Sequence, residues 1–241
     1  MKFDIISIFP EFFDSPLSCG ILRIAQEKGI IKIKITNPRD FAPDRIVDDY
    51  QFGGGAGMVM KPEPLNRAIN SVKTKKSFLI NLTPKGKKLN QKIVNDLAKK
   101  EHIVFICGRY KGIDERINLL FEPLEISTGD YVFSGGEIGA LMLIESITRL
   151  LPNVLRNRDS AHTDSFQHNL FESPIYTRPN VYKRRKVPEV LRSGNHQLVA
   201  RWRRKKSLEI TLSQRPDLIS SEIFTKGDLE ILLEVLNGKD S

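Results

Sequence analysis

The sequence predicts an α/β domain with a mostly parallel sheet, followed by a small, basic, helical domain. Three observations predict this. Short apolar runs alternate with amphipathic stretches over residues 1–150, the pattern of strands crossed over by helices. Loops rich in glycine or proline follow three of the apolar runs. After Pro174 the Val, Ile and aromatic runs disappear, and helical patterns remain.

Each element follows from its local pattern. Residues 5–9 (IISIF) form a short apolar run stopped by Pro10 and read as a buried strand. Residues 17–28 have helical spacing and stop at Gly29. Residues 30–36 (IIKIKIT) alternate apolar and basic at period two, as in a strand with one wet face. Residues 78–82 (FLINL) read as a strand. Residues 87–100 read as an amphipathic helix, with Leu89, Ile93, Leu97 and Ala98 on its apolar side. Residues 103–107 (IVFIC) read as a strand, 115–120 as a helix, 126–133 as containing a strand, and 141–151 as a strongly apolar helix. Residues 153–174 are polar without a clear period and read as a linker, long enough to suggest a role of its own. Helical patterns return at 197–212 and 228–236. The division expected is a first domain at 1–155, a linker at 156–173 and a second domain at 174–241.

Composition narrows the class. Hydrophobic residues make up 40% and charged residues 28% of the 241, an ordinary globular balance that excludes disorder as the default. The formal charge is +9, which favours a polyanionic partner. It is concentrated: residues 178–206 hold eleven Lys or Arg and one acid, Glu189, so the rest of the chain is close to neutral. Cys19 and Cys107 form no CxxC pair, which argues against a disulfide framework or zinc site, and both are expected to be buried thiols. The N-terminal residues contain no long apolar run, and no stretch approaches the ~18 apolar residues of a membrane span. A cytoplasmic protein with no membrane attachment is expected.

Four loops are candidates for chemistry: 50–58 (YQFGGGAGM), 83–86 (TPKG), 107–116 (CGRYKGIDER) and 127–139 (STGDYVFSGGEIG). Taken singly, the first reads as a flexible loop and the second as a turn. Together, the last three stand after strand runs, where open parallel sheets bind ligands. The GxxxxGK[ST] frame of a P-loop is absent, and no GxGxxG opens a helix after a strand. This argues against a P-loop NTPase or an ordinary dinucleotide-binding domain.

The ordered set ISIFPEFF, YQFGGGAGM, CGRYKGIDER, STGDYVFSGGE, TDSF, YTRP and LRSGNH with RWR resembles the bacterial tRNA (guanine-N1)-methyltransferases, a branch of the SPOUT methyltransferase class. It spans residues 3–216. The resemblance implies a trefoil knot made by the late strands and loops of the first domain, a rare exception among folds. It implies a homodimer whose linker reaches over the knot of the other subunit. S-adenosylmethionine is the implied methyl donor, held at Leu82, Thr83, Pro84, Gly108, Thr128, Gly129, Asp130, Tyr131, Val132, Phe133, Gly135 and Gly136. Tight loops suit this, because backbone groups can then meet adenine and ribose directly. One position departs from the family, which usually has Glu where this chain has Lys111.

The implied reaction is methyl transfer to N1 of the guanine 3′ of the anticodon. Guanine N1 carries a proton at neutral pH, so a base must reach it, and a fixed cation must meet the charge that builds on O6. The resemblance places the base at Asp164 and the cation at Arg149. Alone, Asp164 reads as a turn or cap residue and Arg149 as a cation favoured by a helix C-terminus. Ser165 is implied in positioning the base. Lys183, Arg184, Arg185, Arg201 and Arg203 are expected to meet tRNA phosphates. Trp202 is expected either to stack on an unpaired base of the anticodon loop or to pack in the small domain. The histidines His102, His162, His168 and His196 have no metal-ligand spacing, and His162 and His168 are expected to be exposed. The family's association with Mg2+ implies a loosely held, assisting ion, since the sequence holds no dedicated carboxylate cage. Two other readings stand beside this one: a SPOUT methyltransferase of another RNA nucleotide, against which TDSF and RWR argue, and a non-catalytic RNA-binding protein, to which Lys111 lends weight.

Overall fold

Five parallel strands form the centre of the first unit: β1 (Lys2–Ile6), β2 (Lys32–Thr36), β5 (Ser77–Lys88), β6 (His102–Ile106) and β7 (Leu124–Ser127). Their order is β2-β1-β6-β5-β7, and every neighbouring pair is parallel. The computed structural model describes residues 1–155, 164–166, 169–220 and 224–237. Two units divide the chain, Met1–Arg156 and Asn157–Ser241.

The strand sequences explain their places. β6 is buried at all five positions and lies at the centre, as expected of a parallel strand covered on both faces. β2 is one of the two edge strands; Lys32 and Lys34 are exposed while Ile33 and Ile35 turn inward, and edge lysines discourage pairing with another chain. On one face Phe3, Ile5, Ile80, Ile103 and Phe105 pack against α2 (Gly20–Glu27), α4 (Gln91–Leu97) and α6 (Glu137–Leu150). On the other, Ile6, Leu79, Val104 and Ile106 pack against α3 (Pro62–Val72) and α5 (Glu115–Phe121). The alternation is the period of two of an extended strand. A short helix α1 (Asp14–Leu17) precedes α2, and an antiparallel hairpin, β3 (Asp48–Tyr50) with β4 (Met58–Met60), carries the glycine-rich loop.

Among the described residues the second unit holds a hairpin of β8 (Val181–Tyr182) and β9 (Arg185–Lys186) and three helices, α7 (His196–Gln214), α8 (Pro216–Ile219) and α9 (Lys226–Leu236). Leu170, Leu208 and Ile231 form its core. Phe171 N donates to Thr211 Oγ1 at 2.8 Å, tying residues 170–171 to α7. No helix among the described residues is long and apolar enough to cross a membrane.

Several expectations are corrected. The first strand is Lys2–Ile6, not 5–9. The helix expected at 87–100 begins at Gln91, because Asn90 caps it by accepting from Ile93 N at 3.0 Å; Lys87 and Lys88 belong to β5. The strand expected within 126–133 ends at Ser127, leaving 128–136 as loop. Helix α3 had no sequence reading, the segment 50–58 read as a flexible loop is closed at both ends by the paired strands β3 and β4, and β8–β9 adds a hairpin to a domain read as helical. Cys107 is buried as expected, but Cys19 is exposed, because it sits at the N-cap of α2 on the outer surface. His162 and His168 lie outside the described residues.

Candidate functional site

A cavity of about 280 Å³ opens at the carboxyl ends of β5, β6 and β7, three neighbouring strands. Its position follows from β5. Leu82 pairs with Ile126, the chain leaves the ladder at residues 83–86, and Lys87 pairs with Ile126 again. The excursion places Thr83, Pro84 and Lys85 on one wall. Gly86 closes it; a Cβ there would stand 2.4 Å from backbone atoms of Glu125 and Ile126, so only glycine lets β5 and β7 approach this closely.

The second wall, residues 108–113, follows β6, and the third, 131–136 with Thr128, follows β7. They are in direct contact. Gly136 N donates to Gly108 O at 3.0 Å, and Arg109 bridges Gly135. A Cβ on Gly136 would lie 2.9 Å from Cys107 Cα, and one on Gly135 would lie 2.2 Å from Arg109 Nε. The second wall is also fastened to β4: Lys111 N donates to Met58 O at 2.9 Å, and Met60 N to Gly112 O at 3.0 Å. The glycine-rich loop therefore borders the cavity.

Beneath these loops Glu137, 1% exposed at the start of α6, accepts a 2.7 Å hydrogen bond from Ser7 Oγ. Its other oxygen lies 3.0 Å from Arg109 Nε, a charge contact not aligned as a hydrogen bond. The Arg109 guanidinium lies over the Phe9 ring, 4.6 Å from its centroid. An acid in the first turn also suits the positive end of α6. Burial pushes the Cys107 thiol well above its ordinary value, and the Glu137 charge adds to this, so this buried thiol is held protonated. On the opposite side Asn81 Nδ2 donates to Asn118 Oδ1 at 3.1 Å and to Glu125 Oε1 at 3.4 Å. All three line the cavity.

The structure brings most of the residues expected around the donor into this one cavity: Leu82, Thr83, Pro84, Gly108, Thr128, Tyr131, Val132, Phe133, Gly135 and Gly136. Gly129 and Asp130 stand outside its lining. Ser127 Oγ donates to Gly129 O at 3.0 Å, and Asp130 pairs with Lys88 at 2.9 Å on the surface. Arg149 occupies the last turn of α6 in the first unit. Asp164 is half-buried in the second unit, and Ser165 Oγ accepts from Glu172 N at 2.9 Å. Lys183 and Arg184 form the tip of the β8–β9 hairpin, and Arg185 is on β9. On α7, Arg203 is exposed, Arg201 pairs with Glu234, and the half-buried Trp202 lies 6.3 Å from the Tyr176 ring. Among the described residues no three His, Cys, Asp or Glu side chains stand close enough to hold a metal ion.

Sequence reasoning missed Ser7, Asn81, Arg109, Asn118, Glu125 and Glu137. Two carried a signal. Asn81 is the one polar residue of FLINL, and Glu137 directly follows the glycine pair that opens an apolar helix.

A parallel sheet covered on both faces, with a cavity walled by loop backbone at its carboxyl edge, defines a ligand-binding α/β domain of the open-sheet type. The family model described as tRNA (Guanine-1)-methyltransferase TrmD matches residues 1–221. The chain is 48% identical over 237 residues to a tRNA (guanine-N(1)-)-methyltransferase of Dictyoglomus turgidum, covering 98% of this chain and 96% of that one. A relative of the same name from Carboxydothermus hydrogenoformans is 50% identical over 235 residues, covering 97% and 92%. Another from Geotalea uraniireducens is 47% identical over 239 residues, covering 98% and 97%. The chain belongs to the tRNA (guanine-1)-methyltransferase family, a family of the SPOUT class.

Proposed function

We propose that this chain is a cytoplasmic tRNA (guanine-N1)-methyltransferase that uses S-adenosylmethionine to methylate N1 of the guanine 3′ of the anticodon. The observation that carries the reading is the cavity. Its three walls are loops whose glycines leave backbone groups uncovered, which fits a donor read by main-chain hydrogen bonds. The relatives' name supplies the reaction class.

In this reading residues 82–84, 108, 128–133, 135 and 136 hold the donor, and the loops that bear them form the trefoil knot of the class. S-adenosylmethionine supplies an electrophilic methyl group when bound. Asp164 accepts the N1 proton of guanine, which makes N1 nucleophilic. Arg149 meets the negative charge that gathers on O6. Its place in the last turn of α6, at the negative end of the helix, supports a fixed cation there. Ser165 positions the base. Residues 1–155 are the methyltransferase domain, 156–173 the linker, and 174–241 the tRNA-binding domain, with Lys183, Arg184, Arg185, Arg201, Trp202 and Arg203 on the anticodon arm. No step is assigned to Mg2+. The enzyme works as a homodimer, and the exposed Phe12, Ile138 and Met142 of the first unit support this as side chains that a second copy would cover.

The test is methyl incorporation from labelled donor into two unmodified tRNAs, one with guanine and one with adenine 3′ of the anticodon. Label in the first alone is expected. Label in both would move the target elsewhere in the RNA, and label in neither would overturn the reading. Asp164→Asn is expected to lose turnover and keep tRNA binding. Sedimentation of a monomer at working concentration would remove the dimer.

A further inference from the structure

Among the described residues two carboxylates line the cavity, Glu115 and Glu125, and they stand differently. Glu115 is exposed and faces Lys85 Nζ at 3.7 Å. Glu125, on β7, is half-buried, and no Lys, Arg or His of the described residues pairs with it. Arg109, a cation of the same lining, is already matched by Glu137. A carboxylate half out of water with no counter-ion costs stability, so folding alone does not explain Glu125.

Its neighbours hold it without neutralising it. Asn81 stands opposite Glu125 in the β5–β7 register and is 3% exposed. Asn81 Nδ2 and Asn118 Nδ2 both donate to Glu125 Oε1 at 3.4 Å, and Asn118 Nδ2 also donates to Glu115 Oε2 at 3.1 Å. The two amides orient one oxygen of Glu125, and its Oε2 accepts no hydrogen bond from the described residues. Asn81 is the polar residue of the apolar run FLINL. A buried amide is costly unless hydrogen-bonded, and the bonds of this one go to Asn118 and Glu125, both on the cavity.

We propose that Glu125, braced by Asn81 and Asn118, receives the ammonium at the amino-acid end of the methyl donor. It rests on the reading of the cavity as the S-adenosylmethionine site. An ammonium offers three N–H donors and no acceptor, and its bond to a carboxylate is of the strong, charge-assisted kind. The sulfonium of the donor suits Glu125 less. It has no N–H to donate, and its charge disappears as the methyl group leaves. An anion beside it would hold the donor more tightly than the transition state and slow the reaction. The ammonium keeps its charge throughout, so an anion there binds the donor without that penalty. The adenine amino group is neutral, and backbone oxygens of the cavity walls suffice for it.

Calorimetric titration of the full chain and of Glu125→Gln with three ligands tests this. S-adenosylmethionine carries sulfonium and ammonium, S-adenosylhomocysteine the ammonium alone, and methylthioadenosine neither. Gln has the shape of Glu and keeps an oxygen for the two amides, so the unliganded variant is expected to melt no lower than the parent. Its dissociation constants for the first two ligands are expected to rise roughly tenfold, the order of one charged hydrogen bond. Its constant for methylthioadenosine is expected to stay unchanged. Glu125→Asp, which keeps the charge on a shorter arm, is expected to lose less. Equal losses for all three ligands would move Glu125 to the nucleoside and overturn the proposal. A loss for S-adenosylmethionine alone would move it to the sulfonium and overturn the proposal too, as would no loss at all. A parent that bound none of the three would bring down the donor reading itself, and the proposal with it.

Discussion

Ser7 Oγ donates a 2.7 Å hydrogen bond to Glu137 Oε1, joining the end of β1 to the first turn of α6 across 130 residues of sequence. Phe9 N in turn donates to Ser7 Oγ at 3.1 Å, and the second Glu137 oxygen faces Arg109. One buried carboxylate thus holds the N-terminal segment and two cavity walls in register. Glu137→Ala removes the acceptor of Ser7 and the counter-charge of Arg109. It is expected to cost about 2–4 kcal/mol, since a buried pair loses one partner, and to weaken donor binding. Glu137→Gln, which keeps an acceptor for Ser7, should cost less. Chemical denaturation of the three proteins checks this, and equal midpoints would sink it.

Gly136 tests the cavity by shape alone. Its φ is −77°, ordinary for any residue, so strain of the backbone is not at issue. A Cβ would meet Cys107 Cα at 2.9 Å and Leu82 Cβ at 3.1 Å. Backbone cannot swing aside, so the third wall must move outward. Gly136→Ala is expected to weaken donor binding by roughly tenfold or more, from an overpacking cost of about 1–3 kcal/mol. Calorimetric titration reads the change, and an unaltered dissociation constant would mean the walls yield freely.

The contrast between these two residues shows what the sequence made legible. The parallel sheet could be read because buried strands announce themselves: IVFIC became β6 and IIKIKIT the edge strand β2. The loops around the cavity could be read because glycine and proline mark places where backbone geometry matters. Helix α3 was hidden by two prolines in its first turn, Pro62 and Pro64, residues that suit a helix start but suggest a break on paper. The start of α4 was misplaced because hydrophobic spacing ran through Asn90, whose cap decides where the helix begins. Ser7 and Glu137 were invisible as a pair because their contact exists only after the chain has folded. The roles of Asp164 and Arg149 came from resemblance, not from any periodicity.

Acid should weaken the second unit in a defined way. Arg204 Nε donates to Asp228 Oδ1 at 2.7 Å, and Asp228 Oδ2 accepts from Thr225 N at 2.9 Å in the capping box of α9. The Arg204 hydrogen bond chiefly, with the Thr225 bonds, holds the Asp228 carboxyl down at about 2 against an ordinary 3.8, while burial acts the other way. The folded value is depressed, so the stabilisation is complete above the unfolded value and is lost as pH falls toward 2. Its size is about 2 kcal/mol. Melting curves of the parent and Asp228→Asn should differ by a constant amount above about pH 5 and converge below it. A gap that stayed open at the acid end would contradict the assignment.

Lys111 poses the sharpest question about the donor. Its amide is fixed to Met58 O, and its Cγ lies 2.8 Å from where a Cβ on Gly57 would stand, so its stem runs along the glycine-rich loop at the cavity rim. The backbone anchor does not depend on the side chain. S-adenosylmethionine carries a sulfonium and an ammonium, which a lysine repels and a glutamate attracts. Lys111→Glu is therefore expected to tighten donor binding by roughly tenfold at low ionic strength, with the gain shrinking as salt rises. Lys111→Met, which removes the charge but keeps a stem over Gly57, should fall between the two. Calorimetric titration at two salt concentrations separates charge from packing. Tightening by Glu that ignored salt would point to release of the loop, and equal dissociation constants for all three proteins would place the Lys111 charge away from the donor.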